Sequence, residues 1–131
     1  MDRKPVVLIV EDNYVLLEML TNLCKREGIT VVSASSGEDA LTYLRENGAK
    51  VDWLFTDINL PGLIDGWTVA EAYTSFNPGR PVIYASAARR PERACLERSV
   101  FLRKPFLVAG IVELARMMAA PTSIDDLLAV A

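Results

Sequence analysis

Residues 6–13 read VVLIVEDN, five consecutive apolar residues followed by two acids and an amide. A continuous apolar run of this kind is typical of a strand that is buried on both faces of a sheet. From residue 14 to residue 27 the apolar residues recur instead at i, i+3, i+4 and i+7, namely Leu16, Met19, Leu20 and Leu23. This spacing predicts an α-helix, which Gly28 ends. The opening of the chain therefore predicts a buried β-strand followed by an α-helix.

The same alternation continues along the rest of the chain. Further strands are predicted over residues 30–34, 52–56, 81–85 and 100–102. Helices are predicted up to about Asn47, over residues 67–76 and over residues 107–118; the last has Leu107, Ile111, Leu114 and Met118 on one side. Ser35 and Glu38 have the spacing of a capping box at the start of the second helix. Alternating strands and helices indicate an α/β fold: a (βα)5, doubly wound, parallel five-stranded sheet of the flavodoxin-like order 2-1-3-4-5.

Composition and charge narrow the class of protein. The chain has 131 residues, of which 51% are hydrophobic and 24% charged, as expected for one globular domain with a full core. The formal net charge of −3 argues against a surface that binds nucleic acid. The absence of histidine excludes His-dependent triads and His-ligated zinc sites. Cys24 and Cys95 form no CxxC motif and are expected to be free thiols.

No stretch of the sequence has the length and apolarity of a membrane span, and the N-terminus does not have the pattern of a signal peptide. We therefore expect a cytoplasmic protein without membrane contact. Residues 1–120 are predicted to form one domain. Residues 121–131 are a short tail, which is either a loosely packed end or an amphipathic helix with Ile124, Leu127 and Leu128 on one side.

Polar residues follow the predicted strands at the edge where a doubly wound sheet carries its reactive crevice. Glu11 and Asp12 follow the first strand and Asp57 follows the third. Ser86 follows the fourth strand, and Lys104 follows the fifth. Each residue alone has an ordinary explanation as a turn or helix-cap residue. In the order 2-1-3-4-5 these strand ends converge, so the whole set favours a functional site.

Three carboxylates that meet at one point repel one another unless a cation joins them. Mg²⁺ suits such a site because it takes one or two carboxylates and keeps waters or phosphate oxygens as its other ligands. Lys104 and Ser86 are suited to phosphate oxygens, as a point charge and as a hydrogen-bond donor. Asp57 is an available oxygen nucleophile that is already ionised at neutral pH, so phosphoryl transfer to it needs no separate base.

These motifs resemble the response-regulator receiver family of two-component signalling over nearly the whole chain, from about residue 5 to residue 118. The matching elements are VLIVEDN, FTDINLPG, YASA and FLRKPF. The resemblance implies that Asp57 is the phosphoacceptor and that Asp12 binds Mg²⁺ directly, while Glu11 does so through water. It also implies that the Asn59 backbone carbonyl is a further metal ligand, that Ser86 and Phe101 act as the conformational switch, and that Lys104 contacts the phosphate. The bond before Pro105 is expected to be cis.

The sequence departs from the family pattern in two places. The loop after the acceptor, DINLPGLIDGW, looks one residue longer than usual, and we expect it to bulge near residues 62–64. Only seventeen residues separate Ser86 from Lys104, and they include Pro91, which a helix tolerates only in its first turn. We therefore expect a short or mobile fourth helix that starts near Pro91, and signalling that differs from the common pattern.

The resemblance implies a phosphoacceptor that assists its own phosphorylation and dephosphorylation and is not an enzyme in the usual sense. We expect a stand-alone response regulator, a monomer or weak dimer, that is phosphorylated by a histidine kinase or histidine phosphotransfer protein and acts on an unknown protein target. The alternatives are a phosphate shuttle or sink, or a receiver module of a hybrid histidine kinase. An aspartate-nucleophile phosphatase would need DxD after the first strand, and a flavin binder would need a Ser/Thr/Gly loop there, where this chain has acids.

Overall fold

Five strands and four α-helices make up the described part of the chain, which is residues 4–91, 93 and 98–119 of a computed structural model. The strands are β1 (Val6–Val10), β2 (Thr30–Ala34), β3 (Trp53–Asp57), β4 (Val82–Ser86) and β5 (Ser99–Arg103). The helices are α1 (Tyr14–Arg26), α2 (Gly37–Asn47), α3 (Gly66–Phe76) and α4 (Val108–Ala119), with a 3-10 turn at Gly48–Lys50. The predicted bounds of the last three strands and of the helix over residues 67–76 differ from these by about one residue.

The strands form one parallel sheet in the order β2-β1-β3-β4-β5. Val10 pairs with Thr56, and Asp57 pairs with Ala85, so β1, β3 and β4 end at the same edge. The predicted fold class and strand order are confirmed. This order follows from the right-handed crossovers that join parallel neighbours, with β1 at the point where the winding reverses.

The sheet is covered by helices on both faces, which explains why β1 is apolar at every position. Val7 and Ile9 belong to the cluster that α1 and α4 complete, and Leu8 and Val10 belong to the cluster that α2 and α3 complete. A strand between two such layers buries alternate side chains in opposite directions. The sequence of β1 is therefore a continuous run of apolar residues, without the alternation of apolar and polar residues that a half-buried strand has.

The side chain that caps the start of α2 differs from the predicted one. Ser36, and not Ser35, is the N-cap of α2, and its hydroxyl oxygen accepts a hydrogen bond of 3.1 Å from the Asp39 backbone N–H. The predicted capping box of Ser35 and Glu38 is therefore wrong. The cap lies one residue later than predicted, and the Glu38 carboxylate accepts a hydrogen bond from the Leu63 N–H in the loop after β3. Asp65 caps α3 by accepting from the Thr68 N–H at 2.9 Å.

The buried faces of α4 and α1 differ in part from the predicted ones. Ile111, Leu114 and Met118 are buried as predicted, but Leu107 precedes α4 and is 81% exposed. In α1 the buried residues are Leu17, Leu20 and Cys24, which is shifted by one position from part of the predicted stripe. Cys24 is a buried free thiol, as predicted.

Three predictions fall outside the described residues: the fourth helix near Pro91 (residues 92 and 94–97 are not described), the state of Cys95, and the tail over residues 121–131. Among the described residues, no helix combines the length and the apolarity that a bilayer crossing requires.

Candidate functional site

Three carboxylates lie together at the carboxyl edge of the sheet. Glu11 and Asp12 follow β1, and Asp57 is the last residue of β3. One carboxylate oxygen from each lies within 4.8 Å of the other two. Glu11 and Asp57 are buried, whereas Asp12 is exposed. The structure thus brings the three sequence-predicted acids to one point, with one side open to solvent.

Backbone contacts fix the two buried acids. The Glu11 N–H donates to the Ala34 carbonyl at 3.0 Å, which extends the pairing of β1 with β2 past the last apolar residue. Beyond Asp57, the Ile58 N–H donates to the Ala85 carbonyl at 3.0 Å. Both acids are therefore held by the sheet itself and not by a free loop. A rigid backbone of this kind keeps the distance between the carboxylates short despite their repulsion.

Lys104 supplies a positive charge to this group of acids. Its ammonium lies 3.0 Å from both carboxylate oxygens of Glu11 and 3.2 Å from Asp57 Oδ2. The backbone N–H of Lys104 donates to the Ser86 carbonyl at 2.7 Å, so the end of β4 positions the lysine. The peptide bond from Lys104 to Pro105 is cis, as the resemblance implied.

The pKa values of Glu11 and Lys104 depend on their burial and on their contacts with each other and with Asp57. Burial raises the pKa of Glu11 above its ordinary value, and the nearby charge of Asp57 adds to the increase, while the hydrogen bond from Lys104 offsets part of it. Burial by itself would lower the pKa of Lys104, but its contacts with Glu11 and Asp57 outweigh this effect and the pKa is raised. Lys104 therefore stays charged at neutral pH, and Glu11 holds a proton more readily than an isolated carboxylate does.

The remaining predicted residues, Ser86, Asn59 and Phe101, lie on or just after β3, β4 and β5. Ser86 is buried at the end of β4, where its hydroxyl oxygen accepts from the Ala88 N–H at 3.1 Å. Asn59 is exposed, two residues beyond Asp57. Phe101 is half-buried on β5 and shares a cavity of about 10 Å³ with Ser86 and Asn59. The roles predicted for these residues stay predictions, because their positions alone do not test them.

The donor set suits a hard divalent cation. The acids contribute three negative charges and Lys104 one positive charge, which leaves a formal charge of −2. All the ligand atoms offered by side chains are carboxylate oxygens, the type that Mg²⁺ and Ca²⁺ prefer over the softer metals. Glu11, Asp12 and Asp57 could therefore hold such an ion.

Two features of the site were missed by the sequence analysis. An apolar groove of about 540 Å³ opens beside Lys104 and is lined by Asn13, Val15, Leu16, Met19, Ala87, Pro105 and Phe106. Glu38, assigned to a helix cap, instead binds the loop after β3. The groove joins residues from three separate parts of the chain, so no local pattern indicated it. The contact of Glu38 spans 25 positions in sequence and had no local signal either.

Comparison with known proteins agrees with this geometry. The family model of the response regulator receiver domain matches residues 7–116. The chain is 30% identical over 120 residues to hybrid signal transduction histidine kinase L of Dictyostelium discoideum, which covers 84% of this chain and 7% of that protein. It spans about half or less of the length of the curated relatives it matches, from 7% to 53%.

Solved structures give the same result. A response regulator receiver protein from Sinorhizobium medicae superposes with a TM-score of 0.75 at 29% identity, covering 87% of this chain and 95% of that one. The CheX-CheY-BeF3-Mg+2 complex from Borrelia burgdorferi gives a TM-score of 0.71 at 27% identity, covering 83% of this chain and 84% of the other. Since the family model covers most of the 131 residues and the acids stand at the ends of β1 and β3, the chain belongs to the response regulator receiver domain family of two-component signalling.

Proposed function

We propose that this receiver domain accepts a phosphoryl group on Asp57, with Glu11, Asp12, Asp57 and the Asn59 backbone carbonyl as the Mg²⁺ ligands. One observation supports this most directly: the Lys104 ammonium contacts Asp57 Oδ2 at 3.2 Å within a group of three carboxylates. A carboxylate in such a place has a cation beside it and a solvent-open side at Asp12 from which a phosphodonor can approach. A purely structural ion pair would not need the second and third acids.

Of the protein's groups, only the Asp57 carboxylate forms a covalent bond during the phosphoryl transfer. A carboxylate oxygen of Asp57 forms a bond to phosphorus, and the bond from phosphorus to the donor nitrogen or oxygen breaks, so the donor leaves with that electron pair. Bound Mg²⁺ would neutralise charge on the phosphoryl oxygens. Lys104 neutralises a further oxygen, and Ser86 donates its hydroxyl hydrogen to another. Hydrolysis of the acyl phosphate by water later returns Asp57 to the free carboxylate.

The conformational switch would start at Ser86. Its hydroxyl oxygen holds the Ala88 N–H at 3.1 Å, so movement of Ser86 toward a phosphoryl group pulls the turn after β4. The adjoining cavity of about 10 Å³ is far too small for a phenyl ring. Phe101 can therefore turn inward only after that turn has moved, which couples phosphorylation to the surface near β4 and β5.

The partners we propose are a histidine kinase or histidine phosphotransfer protein as phosphodonor and a protein target for output. The groove beside Lys104, whose ammonium contacts Asp57, offers an apolar surface for such a donor. We propose a receiver domain over residues 1–120 that works as a cytoplasmic regulator. The alternatives of a phosphate shuttle and of a receiver module within a hybrid kinase share the same site and differ only in output.

Incubation with acetyl phosphate and Mg²⁺ tests the proposal. Mass spectrometry is expected to show a gain of about 80 Da, the mass of one phosphoryl group, on the peptide that contains Asp57. Asp57→Asn is the matched variant, because the amide keeps the shape and cannot form the acyl phosphate. EDTA should abolish the adduct in the unaltered protein. An adduct that forms equally on Asp57→Asn, or that forms without a divalent ion, would contradict the proposed acceptor or its metal requirement.

A second measurement separates a switch from an inert acceptor. Amide chemical shifts recorded with Mg²⁺ and beryllofluoride are expected to change at Ser86 and also at Phe101. Changes confined to the residues around Asp57, with none at Phe101, would leave the acceptor intact and remove the proposed switch. Turnover of simple phosphate esters by the protein would favour the phosphatase that the sequence argued against.

A further inference from the structure

We infer that Glu38 is a positioning residue for the Mg²⁺ site: its carboxylate fixes the loop between β3 and α3 that carries the Asn59 carbonyl. The inference rests on the proposed function, which makes that carbonyl a metal ligand. Glu38 itself lies on α2 and is not placed among the metal ligands. It acts on the site through the backbone of the loop.

The contact joins two parts of the chain that are far apart in sequence. Glu38 Oε2 accepts a hydrogen bond of 3.0 Å from the Leu63 backbone N–H. A carboxylate acceptor makes a stronger hydrogen bond than a neutral one. The bond satisfies a loop N–H and attaches the middle of the loop to the first turn of α2.

Two glycines show that the loop and α2 are closely fitted at this point. A Cβ on Gly62 would lie 2.5 Å from Glu38 Oε2 and 2.9 Å from Oε1, so the carboxylate rests against the glycine backbone. A Cβ on Gly37 would lie 2.5 Å from the Ile64 carbonyl oxygen. Gly62 also has φ of +86°, a conformation that other residues rarely adopt. A side chain at residue 62 would therefore meet the Glu38 carboxylate, so glycine there lets the loop lie close against α2.

The ends of the loop are held independently of Glu38. The Gly66 N–H donates to the Ile58 carbonyl at 2.8 Å, which closes the base of the loop. Leu60 and Ile64 pack against the core cluster below α2 and α3, whereas Leu63 is 96% exposed. The Leu63 side chain thus faces solvent and contributes no packing to the loop. The hydrogen bond from the Leu63 N–H to Glu38 attaches this part of the loop to α2.

Because Glu38 is exposed and outside the core, loss of its carboxylate is expected to loosen the loop without unfolding the domain. A metal ligand on a loosened loop must be ordered when the ion binds, which lowers the affinity. Glu38→Gln keeps an acceptor oxygen and loses the charge, whereas Glu38→Ala loses both. Asp39→Ala removes a neighbouring exposed acid of the same helix turn whose side chain has no described contact with the loop.

The experiment is a Mg²⁺ titration followed by Trp67 fluorescence, with Leu63 amide hydrogen exchange measured in the metal-free protein. Trp67 is a suitable probe because it follows Gly66, whose backbone packs against the Asp57 carbonyl. Glu38→Ala is expected to lower the Mg²⁺ affinity by about threefold to tenfold, the effect of one lost hydrogen bond, and to speed exchange at Leu63. Glu38→Gln and Asp39→Ala should stay within about twofold of the unaltered protein.

The outcomes separate this inference from the proposed function. If the unaltered protein binds Mg²⁺ and Glu38→Ala binds it equally well, the role of Glu38 is overturned and the proposed site stands. If all three variants weaken binding alike, the effect is one of net charge and the positioning role is also overturned. If the unaltered protein does not bind Mg²⁺ at all, the proposed site fails, and the role of Glu38 fails with it.

Discussion

Replacement of Lys104 by methionine tests the electrostatics of the site most directly. The ammonium makes two contacts of 3.0 Å with Glu11 and one of 3.2 Å with Asp57, and the exposed side-chain fractions of these acids are only 1% and 8%. Methionine has similar length but no charge, so Lys104→Met leaves two buried carboxylates facing each other. We expect the metal-free domain to lose much of its stability.

The magnitude follows from burial. Removal of one partner from a buried ion pair costs about 3–5 kcal/mol, because the other charge stays buried without compensation. The Lys104 side chain is 22% exposed, and Glu11 can take up a proton, so we expect the lower end, about 3 kcal/mol. Domains of this kind have a free energy of unfolding of about 5–15 kcal/mol. With a urea m-value of about 2 kcal/mol/M, the midpoint should fall by roughly 1.5 M.

The assay is urea unfolding in EDTA and again in saturating Mg²⁺, with Lys25→Met on the exposed end of α1 as the control for loss of one positive charge. Mg²⁺ at a hundred times its Kd stabilises a folded protein by about 2.7 kcal/mol. Lys104→Met should gain more than the unaltered protein, because the ammonium no longer competes for the carboxylates. A loss below about 1 kcal/mol in EDTA, or an equal gain from Mg²⁺ in both proteins, would refute the reasoning.

The pH dependence of this ion pair has a defined sign. The folded-state pKa of Lys104 is raised above its ordinary value of 10.5. Its contribution to the free energy of unfolding is therefore fully present below that ordinary value and is lost as the pH rises through the raised one. Lys104→Met should show a smaller alkaline decrease in stability than the unaltered protein.

Three further predictions concern packing and burial. Burial raises the pKa of Cys24 from 9.0 to about 11, so at pH 8 the native protein should hold about a hundredfold less Cys24 thiolate than an ordinary thiol would give. Peptide mapping after brief alkylation should therefore find Cys24 unmodified. Rapid labelling in the folded protein would contradict its burial. Gly66→Ala should destabilise the domain by about 1–3 kcal/mol, because the new Cβ meets the backbone carbonyl of Asp57, which cannot rotate away. Gly110 is a helical position in α4, and among the described residues no atom beyond its chain neighbours and its own helix backbone lies within 4 Å of an added Cβ. Gly110→Ala should therefore stabilise the domain by about 0.5–1 kcal/mol, and thermal unfolding of both variants should show opposite shifts.

Some local features could not be assigned from sequence because two arrangements were nearly equivalent there. Ser35 and Ser36 both precede α2, and either hydroxyl can cap a helix. Ser36 is the cap, and the next residue, Gly37, lies against the Ile64 carbonyl of a loop more than twenty residues away. Leu107 fits the apolar stripe of the last helix by spacing but lies before its first turn and faces solvent. Spacing cannot show where a helix begins when the cap depends on distant contacts.

The order of apolar runs and helical patterns by itself determined the parallel sheet and its strand order, because right-handed crossovers and burial on both faces leave few ways to arrange five such units. It also determined which residues stand at the strand ends, since a side chain that follows a buried run must emerge at the sheet edge. Only the tertiary structure decided how those side chains interact: that Lys104 bridges Glu11 and Asp57, and that Glu38 binds the Leu63 N–H. These contacts join positions 93, 47 and 25 residues apart. No local pattern encodes such pairings, because they arise only when the packed elements bring the partners within hydrogen-bonding distance.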